Sequence, residues 1–189
     1  MKKTLIMLVT IVAGFSISAQ AQSPAATAAV NASTPSIHWM SIEQAQKLNQ
    51  KHPKKILIDT YTEWCGWCKR LDATTWQDAR IVDYLNKNYY AVKFDAESKD
   101  SIHFNGKVYH YNPNDGRNGI NELAVKLLGS QMAYPTIVVI DESLNTLSVI
   151  PGYQTADPMN NIVHYFGDNI YKTVDWTAFN SDPSKYLKN

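Results

Sequence analysis

"ILIDTYTEWCGWCK", residues 56–69, runs from an apolar segment straight into a Cys-x-x-Cys pair that holds both cysteines of the chain, Cys65 and Cys68. The apolar run begins at Lys54, is rich in isoleucine and is bounded by charge, the pattern of a strand buried on both faces. A helix is expected to open at Cys65 or Gly66 and to reach about Ala73. A cysteine at a helix start feels the unpaired N–H groups of the first turn and the positive end of the helix dipole, and both favour thiolate over thiol. The second cysteine, one turn later, lies on the same side of the helix within reach of the first sulfur. Such a pair suits half of a metal site, a structural clip or a working dithiol. As a clip it is poor, because so short a loop removes little entropy from the unfolded chain. Zinc needs four ligands, yet the chain has no second cysteine pair, and its five histidines (His38, His52, His103, His110, His164) are scattered.

Working outward, Ser41-Ile42-Glu43-Gln44 has the form of a capping box opening a short helix to Lys51, which Pro53 stops. Downstream, Asp78 caps a helical piece with Ile81, Val82 and Leu85 on one face. Residues 89–95 read as a strand, and 119–128 as a helix closed by Gly129. Strands at 134–141 and 146–153 are separated by a four-residue turn and should pair antiparallel. An amphipathic helix is expected over 155–171, with one more turn at 175–180. Strands separated by helices give a parallel sheet, to which the late hairpin adds antiparallel strands. The cysteines then stand at the carboxyl end of the first parallel strand, where open α/β sheets place their sites.

The chain has 189 residues, 44% hydrophobic, with 18 Lys+Arg against 17 Asp+Glu. That is enough for one α/β core, and a formal charge of +1 gives no footprint for nucleic acid. The first 21 residues have the pattern of a secretory signal: Met1-Lys2-Lys3, an apolar stretch, then Ala19-Gln20-Ala21 as the cleavage signal. The apolar run is shorter than the ~20 residues of a spanning helix. Residues 22–36, rich in Ala, Ser, Thr and Pro, read as a flexible tether. The expected location is therefore periplasmic or secreted, where disulfides persist. The globular domain is expected over 37–175, with 176–189 as a tail.

The stretch 56–69 resembles the active-site segment of thioredoxin, and "YPT" at 134–136 resembles that superfamily's cis-proline motif. The likeness covers roughly 54–172. Within the superfamily it is greatest to small exported bacterial thioredoxin-like proteins with a W-C-x-W-C-K centre. The resemblance implies a thioredoxin fold of the α/β class, a central mixed sheet flanked by helices. It also implies roles. Cys65 would be the attacking nucleophile and Cys68 the resolving thiol. Pro135 would be cis, with Tyr134 presenting its backbone to a substrate peptide. Asp59 would be the buried carboxylate that takes the Cys68 proton, with Lys93 beside it. Trp64 would cover the thiols, and Lys69 would add positive charge. No cofactor or metal is implied beyond the cysteine pair.

Thioredoxin has Gly-Pro where this chain has Gly66-Trp67, residues that both tune the dithiol and meet substrate. Without a histidine to donate to the thiolate, the pair leans toward a reducing dithiol. A reductase outside the cytosol would act on protein or peptide disulfides and draw on a membrane-borne electron donor. The alternatives are an oxidase or isomerase, and a non-catalytic module that binds partners. A second departure is an insertion at about 97–118. "SIHFNGKVYHY" carries an Asn-Gly turn between alternating residues, a hairpin signal, and Phe104, Tyr109, His110 and Tyr111 either line a substrate groove or pack, as a flap, on the domain's own surface.

Overall fold

The computed structural model describes residues 35–129 and 132–187. The expected signal segment at 1–21 lies outside the described residues, as do all but the last two residues of the tether at 22–36. Helix α1 (Ile42–Asn49) opens on the expected capping box, in which Ser41 and Gln44 satisfy each other's backbone N–H groups. Strand β1 (Lys55–Tyr61) leads into α2 (Gly66–Ala73). A short 3₁₀ turn and α3 (Ala79–Asn88) then lead to β2 (Tyr89–Asp95).

The insertion follows as two small ladders, β3 (Ile102–Phe104) with β4 (Lys107–Tyr109), and β5 (Tyr111–Asn112) with β6 (Ile120–Asn121). Then come α4 (Glu122–Leu128), β7 (Thr136–Ile140), β8 (Thr146–Pro151), α5 (Ala156–Gly167) and α6 (Trp176–Ser181).

The main sheet has the order β2-β1-β7-β8, with β1 parallel to β2 and the other neighbours antiparallel. This is the mixed sheet of the thioredoxin fold. Because both faces are covered, β1 is buried along nearly its whole length and its alternate residues serve two cores. Ile56 and Ile58 pack with α1, α4 and the insertion, whereas Leu57 packs with α3, α5 and α6. Asp59 falls on the Leu57 face by the two-residue period of a strand.

Three expectations are corrected. The helix placed at 119–128 begins only at Glu122: Gly119 has φ +81°, and Asn121 is extended and caps α4 by accepting from the Leu123 N–H. The last long helix stops at Gly167, where Asn169 takes a left-handed φ of +60°. Residues 176–187 are not a tail. They supply α6, capped by Asp175, and Phe179 is 0% exposed in the α3/α5 core.

Candidate active site

Cys65 is the N-cap of α2, and its Sγ accepts from the Cys68 N–H at 3.0 Å. The two sulfurs are bonded to each other. The site stands at the carboxyl end of β1, since the Cys65 N–H donates to the Thr62 carbonyl at 3.1 Å. Both cysteines are buried, Cys65 at 5% exposure, but the tryptophans flanking them are 58% (Trp64) and 59% (Trp67) exposed. Gly66 opens to empty space: a Cβ built there would meet nothing within 4 Å.

Each tryptophan leans on a different loop. Trp64 meets Tyr134 edge-on, with ring centroids 5.9 Å apart, and the Tyr134–Pro135 bond is cis as expected. Trp67 lies against Tyr153, centroids 5.4 Å apart. The two loops are tied together, for the Gly152 N–H donates to the Pro135 carbonyl at 2.8 Å. Tyr153 is further held by its hydroxyl on Thr74 Oγ1 (3.0 Å) and by the Arg70 guanidinium over its ring. The result is an aromatic rim around the cysteine pair. Burial, then the charges of Glu97, Asp95 and Asp115, push the Tyr134 phenol up to about 12, so it stays neutral in ordinary buffers.

Asp59, on β1 ahead of the pair, is 0% exposed. Its Oδ2 accepts from Lys93 Nζ at 2.6 Å and from Trp76 Nε1 at 2.8 Å, while Oδ1 has no partner among the described residues. The parallel register places Lys93 opposite Asp59. Burial pushes the Asp59 carboxyl above its ordinary value, outweighing the Lys93 charge and the two hydrogen bonds. Lys93 is also raised. Burial opposes its charge, but Asp59 and a second carboxylate, Asp72, outweigh it. Both shift upward: the lysine faces two anions, whereas at the aspartate one cation does not offset burial. The faces of Trp39 and Tyr61, each 5.2 Å from the ammonium, complete the enclosure.

The structure thus gathers Cys65, Cys68, Trp64, Gly66, Trp67, Tyr134 and Pro135 at one rim, with Asp59 and Lys93 paired in the sheet below. Lys69 is exposed on α2. Trp76, Asp72, Tyr153 and Glu97 went unnoticed in the sequence. Nothing in the spacing of Trp76 or Asp72 separates them from a core tryptophan and a solvated helix carboxylate. Tyr153 follows a strand end, a place where aromatics are common without purpose.

Of the two readings of the insertion, the packing of its hairpin favours the flap that lies on the domain's own surface. Ile102 and Phe104 are buried against α1, and the hairpin is pinned there by Gln46 and Glu43, which bond the backbones of His103 and Asn105. Tyr109 packs against the same core, His110 bonds Ser101, and the Tyr111 hydroxyl donates to the Asn118 carbonyl. The hairpin's alternation turns the side carrying Ile102 and Phe104 onto α1. The ends of the insertion, Glu97 and Asn118, reach the rim.

The family model for a thioredoxin-like domain matches residues 42–167. The thiol:disulfide interchange protein DsbD of Campylobacter jejuni strain RM1221 is 33% identical over 61 residues, 32% of this chain and 11% of that protein. The chain thus spans about a tenth of the length of the curated relatives it matches. A thioredoxin-fold protein from Helicobacter pylori superposes with a TM-score of 0.53 at 20% identity, over 71% of this chain and 82% of that one. A thioredoxin from Thermus thermophilus does so at 0.52 and 13% identity, over 82% and 99%.

Proposed function

The chain belongs to the thioredoxin-like domain family, and from that premise we propose that it is an exported thiol-disulfide oxidoreductase that reduces protein or peptide disulfides through Cys65 and Cys68. The observation that carries this reading is the placement of Cys65 as N-cap of α2, where the Cys68 N–H donates to its sulfur. The same N–H, with the helix dipole, would favour the Cys65 thiolate in the reduced protein. The likeness to a thiol:disulfide interchange protein points the same way.

In this reading the Cys65 thiolate attacks one sulfur of the substrate disulfide, whose S–S bond breaks. One substrate sulfur leaves as thiolate and takes up a proton; the other is held in a mixed disulfide. Cys68 then passes its proton to Asp59 and attacks the Cys65 sulfur. The mixed disulfide breaks, the second substrate thiol leaves, and the protein keeps the Cys65–Cys68 disulfide. Two electrons have moved from the dithiol to the substrate. Burial raises the Asp59 pKa, which makes it a better proton acceptor than an ordinary carboxylate. Tyr134, Pro135, Trp64, Gly66 and Trp67 would receive the substrate peptide. No cofactor or metal is required.

The reducing direction rests on the pair between the cysteines. Gly66 brings no side chain and Trp67 is engaged with Tyr153, so neither adds a charge that stabilises the thiolate. The segment at 1–21 supports export. A reductase in an oxidising compartment must be recharged, which calls for a membrane-borne electron donor. Equilibration with glutathione should give a reduction potential within tens of millivolts of ~−270 mV. A value above about −180 mV, in the isomerase and oxidase range, would overturn the reductase reading.

A further inference from the structure

Trp64 is more than half exposed, yet its indole N–H is not left to water: it donates to Glu97 Oε1 at 2.8 Å. Glu97 is half-buried just past the end of β2, where the insertion begins. Asn118, from the insertion's far end, donates through Nδ2 to both oxygens of the same carboxylate, at 3.1 and 3.3 Å. Asn118 is itself fixed. Its carbonyl accepts from the Tyr111 hydroxyl, and a Cβ on the next residue, Gly119 (φ +81°), would lie 2.1 Å from that hydroxyl. Tyr134 holds the ring from the other side. One carboxylate thus joins both ends of the insertion to the ring next to the attacking cysteine.

We propose that Glu97, held by Asn118, is a positioning residue that orients Trp64 to receive the apolar or aromatic side chain flanking a substrate cystine. The inference rests on the oxidoreductase reading and assigns the insertion its part in it. A long exposed ring that is already fixed loses little freedom when a peptide packs on it, so the clasp acts on peptide binding. Among the described residues it makes no hydrogen bond to the sulfurs, and it leaves intrinsic exchange alone. The charge matters less than the acceptor, since an amide oxygen at the same place can also take the indole N–H.

The test compares insulin with a dipyridyl disulfide as substrates for wild type, E97A, N118A and E97Q, and follows the Trp64 indole N–H resonance. E97A should raise KM for insulin roughly 10-fold, equivalent to ~1.4 kcal/mol, with kcat and the dipyridyl reaction within about twofold of wild type. N118A should do the same to a smaller extent, and E97Q should recover most of the loss. The indole resonance should move in E97A and return toward its original position in E97Q. Equal losses on both substrates, an unchanged KM, or an indole resonance that stays put would each overturn the proposal. A wild-type protein unable to reduce either disulfide would sink the oxidoreductase reading first, and that failure is seen before any variant is made.

Discussion

Asp59 is the residue whose chemistry depends most on its surroundings. Its folded-state pKa lies above the ordinary 3.8, chiefly through burial. A carboxyl raised on folding binds its proton more tightly in the native state. Its contribution to stability is therefore complete below 3.8 and is lost as pH rises through the raised value. Asp59→Asn, which mimics the protonated form and still accepts from Trp76, should gain stability relative to wild type as pH is raised above 4; chemical denaturation at several pH values checks this. The same variant should slow reduction of a protein disulfide by roughly 10²-fold, the low end of what a positioned base contributes. The loss should shrink above the ~8.5 at which a cysteine ionises unaided. A pH-independent loss would remove Asp59 from the proton transfer. The acidic residue itself came into view through the resemblance of 56–69 to the thioredoxin active-site segment. The resemblance also implied Lys93 beside it; Trp76, and the Asp72 that shares Lys93, come from other elements, and their convergence was a matter of packing.

Among the elements, the β3–β4 hairpin shows how a correct local reading can leave a role open. The Asn-Gly turn is there, with Asn105 and Gly106 both at positive φ. Period-two alternation puts Ile102 and Phe104 on one side, but alternation does not say what that side meets. The structure turns it onto α1, and Phe104 is only 6% exposed. Phe104→Ala should accordingly destabilise the fold by about 3 kcal/mol while leaving the redox potential of the cysteine pair unchanged, as urea denaturation and glutathione equilibration would read. Replacing 100–116 by a short link should cost stability as well, because it uncovers α1. A variant that keeps its full stability would mean that the hairpin is an ornament. The helix start missed at Gly119 has a related cause. Ile120 and Asn121 carry no mark against helix, but β5 offers them a ladder, and the Asn121 side chain bonds the carbonyls of Ser98 and Asp100 as well as capping α4.

At the scale of the molecule, the sheet divides the interior into two cores, and the carboxyl-terminal segment completes one of them. Phe179 stacks near Tyr165, Trp176 and Tyr186, joining α6 to α5. Phe179→Ala should remove about 3 kcal/mol, the lower end for a buried phenylalanine. For a domain of this size that is a fall in Tm of roughly 6–12 °C, measurable by calorimetry. An unchanged Tm would return 176–187 to the status of a tail.

What the sequence determined alone was whatever depends on neighbours in the chain: the buried strand before the cysteines, the helix they open, the capping box, the hairpin turn, and the order of elements that admits a mixed sheet. Short-range spacing and backbone chemistry are enough for these, and they brought Cys65 and Cys68 into view; Asp59 and Pro135 followed from the resemblance to thioredoxin. The tertiary structure decided what joins positions far apart in the chain. It set Lys93 and Trp76 on Asp59, Tyr153 under Trp67, and Glu97 with Asn118 on Trp64, and it turned Phe104 and Phe179 inward. Each of these is a contact between side chains brought together only when two faces of one sheet are covered, and no local pattern encodes which distant residue will fill a given place in a close-packed interior.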